Sequence, residues 1–136
     1  MYEIFDHTAD LGLRIRAADL PSLLAESARA FFSVLVANLD DVQPVLQRTY
    51  ALDGSTPDYL LFDWLTELLF TFETEHLLFS RFDVQLTPAG LSAVCLGEPM
   101  DPSRHHMEHE IKAITYHELK VVQDATGWLA EVIVDI

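Results

Sequence analysis

The sequence predicts an α+β domain in which two main helices pack on an antiparallel or mixed sheet. Two segments repeat apolar residues at helical spacing, and roughly seven short segments alternate apolar and polar residues or run apolar between turn signals. Several of the turns are short enough for hairpins, which favours an α+β arrangement over alternating βαβ units. The 136 residues suit one domain, read as residues 1–136, and half of them are hydrophobic, enough for a real core.

The elements follow in order. Residues 2–5 form a first strand. Residues 11–17 alternate, with Leu11, Leu13 and Ile15 on one face and Arg14 and Arg16 on the other, as in a half-buried strand. A helix is expected over residues 20–39, capped by Asp19 and carrying Pro21 in its first turn, where a missing N–H is harmless. Its apolar stripe is Leu20, Leu24, Ala28, Phe31 and Leu35. Residues 48–52 read as a strand punctuated by Asp53, Gly54 and Pro57. Residues 58–75 make the strongest helix, with Leu61, Trp64 or Leu65, Leu68 and Phe72 on its apolar side and Asp63 and Glu67 opposite.

Residues 80–86 and 90–96 form a hairpin about the turn at 87–90, and residues 97–104, with Pro99 and Pro102, form a loop. Residues 111–122 are expected as one long or bent strand. After a turn at 124–127, residues 128–135 close the chain with Leu129, Glu131, Ile133 and Asp135 on one face.

Charge narrows the function. With 22 acidic and 8 basic residues the formal charge is -14, and the basic residues are scattered. Phosphate backbones are held by clustered Lys and Arg, so direct high-affinity binding of nucleic acid is not expected. Docking on a basic protein partner is. Cys95 stands alone, which excludes an internal disulfide or a Cys-based zinc site, and it reads as a small buried strand residue. The start of the chain lacks the basic and apolar pattern of a signal peptide, and no stretch approaches the ~20 apolar residues of a membrane span. The expectation is a cytoplasmic protein without a membrane partner.

The candidate chemistry lies at the chain ends. If the strands after Asp10 and before Asp135 pair, the two side chains and the terminal carboxylate of Ile136 can converge as hard oxygen ligands for calcium or magnesium. Taken singly, Asp10 also reads as a turn residue bonding its own backbone. His105, His106 and His109 cluster before a strand, and His7 stands by another; such a set suits a transition metal, although a Pro-containing loop rich in His is ordinarily solvated. Lys112 shares a strand face with Glu110 and Ile114 by the period of two; it either pairs with a surface carboxylate or donates to a phosphate or a partner's carboxylate. Asp63 and Glu67 are better read as a solvated helix face than as an acid–base pair. No nucleophile motif, phosphate-binding glycine loop or Cys–His set is present.

Five stretches together resemble the archease family. They are His7-Thr8-Ala9-Asp10-Leu11-Gly12-Leu13, the helix from Leu61 to Phe70, the loop of Gly97-Glu98-Pro99, Asp101-Pro102 and Arg104-His105, the stretch His109-Glu110-Ile111-Lys112-Ala113-Ile114-Thr115-Tyr116-His117, and the closing Val132-Ile133-Val134-Asp135-Ile136. The resemblance implies a small, non-catalytic α+β protein that activates the RtcB-type RNA ligase of tRNA splicing and RNA repair, which uses GTP and manganese. It implies faster guanylylation of that ligase and multiple turnover. It implies metal ligation by Asp10, Asp135 and the main-chain oxygen of Ile136, with calcium first and magnesium or manganese as alternatives. Lys112 matches a family position implicated in activation. Relatives often carry Ile at Leu11 and Leu13, Phe at Val134 and Gly at Glu118.

Two other classes stay open on the sequence. One is a chaperone-like modulator of RNA-modifying enzymes such as tRNA methyltransferases. The other is a metal-dependent hydrolase using Asp10 and Asp135.

Overall fold

A computed structural model describes residues 1–7 and 10–136. The fold is α+β, with two helices packed on two antiparallel sheets. The described elements are β1 (Tyr2–His7), β2 (Asp10–Ala17), α1 (Leu20–Leu35), β3 (Leu46–Asp53), α2 (Pro57–Glu75), β4 (Leu77–Thr87), β5 (Gly90–Pro99), β6 (Ala113–Ile114), β7 (Lys120–Asp124) and β8 (Gly127–Asp135). One sheet runs β1-β2-β8, with β6 and β7 both pairing β8 on its other side; the second runs β3-β5-β4. Every strand pairing is antiparallel, so the mixed sheet allowed by the sequence does not occur among the described residues.

The alternation in β2 does what it predicts. Leu11, Leu13 and Ile15 are buried and lie opposite Val134, Val132 and Ala130 of β8. Those residues join one core with Phe31, Phe32 and Leu35 of α1 and Leu61, Trp64, Leu65 and Leu68 of α2. Trp64 is fully buried, and its indole N–H donates to the Leu24 carbonyl at 2.9 Å, tying the two helices together. Phe72, expected in the α2 stripe, is only half-buried. Cys95 is buried in β5 as expected, and burial pushes its thiol up to about 12.

Helix α1 begins as expected: the Asp19 side chain accepts from the Ser22 N–H at 2.8 Å. It ends at Leu35, earlier than the sequence suggested. Val36 is extended and bridges Met107, and Leu39–Asp41 forms a separate 3-10 turn. The reason is tertiary. The 106–109 segment lies across the end of the helix: Glu108 and His109 donate to the Leu35 and Val34 carbonyls at 2.8 and 3.1 Å, and Ala37 donates to His106 at 2.8 Å. Those bonds satisfy carbonyls that one more helical turn would otherwise occupy.

The expected strand over 111–122 is broken in two. β6 pairs Ile114 with Val134, and β7 pairs Lys120 with Glu131. Between these pairs the incoming chain spends more residues than β8 does, so Tyr116, His117 and Glu118 leave the ladder as an exposed turn. Leu119 donates back to Tyr116 at 3.2 Å, and Glu118 takes a left-handed conformation with φ of 54°. Lys112 precedes β6 and is exposed, whereas Ile114 is buried, so the expected shared face is not present.

Candidate site at the joined chain ends

Two rows of side chains, separated by the row of Phe5, Gly12 and Ile133, cross the outer face of the first sheet, and their electrostatics differ. In one, Glu3, Arg14, Glu131 and Lys120 stand side by side across β1, β2, β8 and β7. Arg14 donates to Glu3 at 3.0 Å and to Glu131 at 2.9 Å, and Lys120 lies 3.9 Å from Glu131. Acid and base alternate, and the Arg14 guanidinium also sits 4.5 Å over the Phe5 ring. These carboxylate hydrogen bonds raise the Arg14 pKa.

The second row lies at the end of the same strands: His7, Asp10, Asp135 and Ala113 are successive register partners across β1, β2, β8 and β6. Asp10 and Asp135 are directly opposed, with side chains on the same face, and no Lys or Arg forms an ion pair with either among the described residues. Like charges directly opposite in a sheet are destabilising. A bound cation would remove that repulsion, and two carboxylates beside a main-chain oxygen form the hard donor set that calcium prefers. Ile136 follows Asp135 directly and packs partly against the core, which fixes the last residue beside the pair.

The pairing of β2 with β8 thus brings Asp10, Asp135 and Ile136 to one tip, as the sequence required for its candidate site. Lys112 reaches the same tip by its backbone: its N–H donates to the Asp135 carbonyl at 2.7 Å. Its exposed side chain forms no ion pair among the described residues, so it does not pair with a surface carboxylate. Thr8 and Ala9 of the first motif lie outside the described residues.

The histidines are distributed otherwise than expected. His105 is buried, not solvated. Its Nδ1 accepts from the Asp101 N–H at 2.8 Å, so the ring proton lies on Nε2, which donates to Glu98 at 3.0 Å. Burial pushes the Glu98 carboxyl up, but hydrogen bonds from Arg104, the Gln43 N–H and His105 outweigh it and hold the group at about 2. This network fixes the loop that caps α1; it is structural. His106 and His109 are exposed. His7 is not joined to that cluster. It lies by His117 and Glu118 on the broken-strand turn, a neighbourhood missed by sequence reasoning. The one sequence signal was Glu118 itself, at a position where the family resemblance leads one to expect Gly. Asp63 is exposed and Glu67 half-exposed on α2, as a solvated face requires.

The molecule is therefore a small two-sheet α+β domain whose polar tip presents carboxylates and a lysine. The archease protein family (MTH1598/TM1083) matches residues 2–136. The chain is 38% identical to the archease of Methanopyrus kandleri, with 99% of each chain covered. It is 36% identical to that of Pyrococcus abyssi, covering 99% of this chain and 98% of the relative. The solution structure of protein 1598 of Methanobacterium thermoautotrophicum superposes with a TM-score of 0.87 at 32% identity, covering 99% of this chain and 98% of the other. The crystal structure of an archease, possible chaperone, from Thermotoga maritima shares the fold, with a TM-score of 0.67 at 21% identity, covering 100% of this chain and 98% of the other. This chain belongs to the archease family.

Proposed function

We propose that this archease-family protein is a non-catalytic, cytoplasmic activator of an RtcB-type RNA ligase, promoting ligase guanylylation and multiple turnover in tRNA splicing and RNA repair. The observation that carries the reading is the Asp10–Asp135 rung at the joined chain ends, which has no Lys or Arg ion pair among the described residues, with Lys112 pinned beside it by its backbone. Asp10, Asp135 and the main-chain oxygen of Ile136 hold a divalent cation, calcium first, with magnesium or manganese as alternatives. The cation neutralises the paired carboxylates and stiffens the tip that meets the ligase. Lys112 offers a free ammonium to a phosphate or a carboxylate of the complex. The RNA is held by the ligase, because a chain of net charge -14 is a poor phosphate binder but a good complement to a basic surface.

The test follows covalent guanylate on the ligase over time, with GTP and manganese, with and without this protein. A marked rate increase is expected, lost on Asp10→Ala, Asp135→Ala or Lys112→Ala. Full activation by folded Asp10→Ala and Asp135→Ala proteins carrying no metal would remove the tip from the mechanism.

One feature favours the second reading, a chaperone-like modulator of tRNA methyltransferases or similar enzymes. A groove of about 470 Å³ is lined in part by Phe72, Met100, Met107 and Ile111. Methionine-rich surfaces adapt to varied apolar partners. That reading requires this protein to suppress aggregation of a methyltransferase or alter its products, and unchanged solubility and products at equimolar addition would end it.

A further inference from the structure

Three groups with metal-ligating atoms meet beside the carboxylate rung: His7, the register partner of Asp10 on β1, and His117 and Glu118 of the broken-strand turn. His7 Nε2 lies 3.5 Å from a Glu118 carboxylate oxygen, and His117 Nε2 lies 3.7 Å from the other. The two imidazole rings are 5.4 Å apart and inclined at 67°, so they do not stack. One ligating atom from each residue falls within 4.8 Å of the others. A tetrahedral ion with ligand bonds of ~2.0–2.1 Å separates its ligand atoms by roughly 3.4 Å, so the three atoms must draw together by at most about 1.4 Å.

Two further observations point to a ligand. His7 Nδ1 is shielded from solvent and has no hydrogen-bond partner among the described residues, yet Asp10 Oδ2 stands 3.9 Å away. A metal-bound histidine characteristically donates its second ring N–H to a carboxylate, which fixes the tautomer and leaves Nε2 free to ligate. Glu118, in turn, keeps a positive φ of 54°, a conformation that costs a non-glycine residue free energy. The turn directs this one carboxylate toward two histidines.

We propose that His7, His117 and Glu118 form a second metal site, for a borderline divalent transition ion of the zinc class, with Asp10 as the hydrogen-bond partner of His7. Two imidazoles and one carboxylate suit zinc and its neighbours, whereas the Asp10–Asp135–Ile136 set suits calcium. Three protein ligands leave one coordination position for water or a partner's side chain. The proposal does not rest on the ligase reading, since it concerns binding of the ion by the isolated chain.

The test uses the full chain, free of any affinity tag and stripped with chelator, titrated with Co²⁺ alone and with Zn²⁺ alone in the presence of excess calcium. One equivalent is expected to bind, with visible Co²⁺ absorption of four- or five-coordinate character. His117→Ala should weaken binding at least tenfold, as should Glu118→Gly, which relaxes the backbone and so separates ligand loss from unfolding. Asp135→Asn should retain the Co²⁺ spectrum. No saturable binding below about 100 μM, wild-type affinity in His117→Ala and Glu118→Gly, or loss of the spectrum in folded Asp135→Asn protein would each overturn the site. The last outcome would assign the ion to the carboxylate rung instead.

Discussion

Replacing Asp135 by Asn should stabilise the protein in chelator and remove its stabilisation by calcium, two effects of opposite sign from one substitution. Asp10 and Asp135 are directly opposed in the β2–β8 ladder, a geometry that sets Cβ atoms ~4.5–5.5 Å apart. Two carboxylate charges about 5 Å apart at the solvent-facing strand ends repel by about 1 kcal/mol. The row of Arg14, two rungs away on the same face, offers no relief, because Arg14 is already engaged by Glu3 and Glu131. Losing one charge should therefore raise the melting temperature in chelator by about 3–5 °C for a domain of this size. Calcium at a hundredfold its dissociation constant should stabilise the wild-type protein by about 2.7 kcal/mol, or roughly 10 °C. Scanning calorimetry in chelator and in calcium reads both quantities. Asp135 is the better choice because Asp10 also lies near His7. A lower melting temperature for Asp135→Asn in chelator, or an intact calcium shift, would refute the argument that this rung is a repulsive pair awaiting a cation.

Further outcomes follow from the same physics. Glu118→Gly should raise stability by about 1 kcal/mol in metal-free buffer, since glycine adopts the positive φ freely; urea denaturation measures it. Gly97→Ala should prevent stable folding, because an added Cβ would lie 1.8 Å from the Leu78 carbonyl oxygen, a backbone atom at the β4 bulge; circular dichroism and yield check this. Glu98 has a folded pKa near 2 against an ordinary value of 4.5, so its contribution is complete above about pH 4.5 and is lost as pH falls toward 2. Allowing for solvent around Arg104, that contribution is about 2 kcal/mol, and Glu98→Gln should flatten the acid limb of a pH–stability profile by that amount.

Much of the fold was legible because its signals are local. The alternation of Leu11, Leu13 and Ile15, the Asp19 cap and the stripe through Leu61, Trp64, Leu65 and Leu68 each depend on a few neighbouring residues, and each appears where expected. The misread boundaries are places where a distant segment decides. α1 stops at Leu35 because residues 106–109 take its terminal carbonyls. The strand after Ile111 breaks because β8 offers its edge at two registers. His105 is buried because Glu98, on another element, holds its ring N–H.

The candidate site divides along the same line. By itself the sequence determined its ingredients: two acidic residues at the chain ends, a late lysine, a strong negative charge and motifs that select one family. Those are matters of residue type and order, and they survive without coordinates. Only the tertiary structure decided that Asp10 faces Asp135 with no Lys or Arg ion-paired to either among the described residues, while the row of Arg14 neutralises itself. Only it carried His117 and Glu118 from a late turn to His7 at the other end of the chain. The physical reason is that repulsion and coordination act over a few ångströms of space, and a strand ladder joins residues separated by nearly the whole sequence.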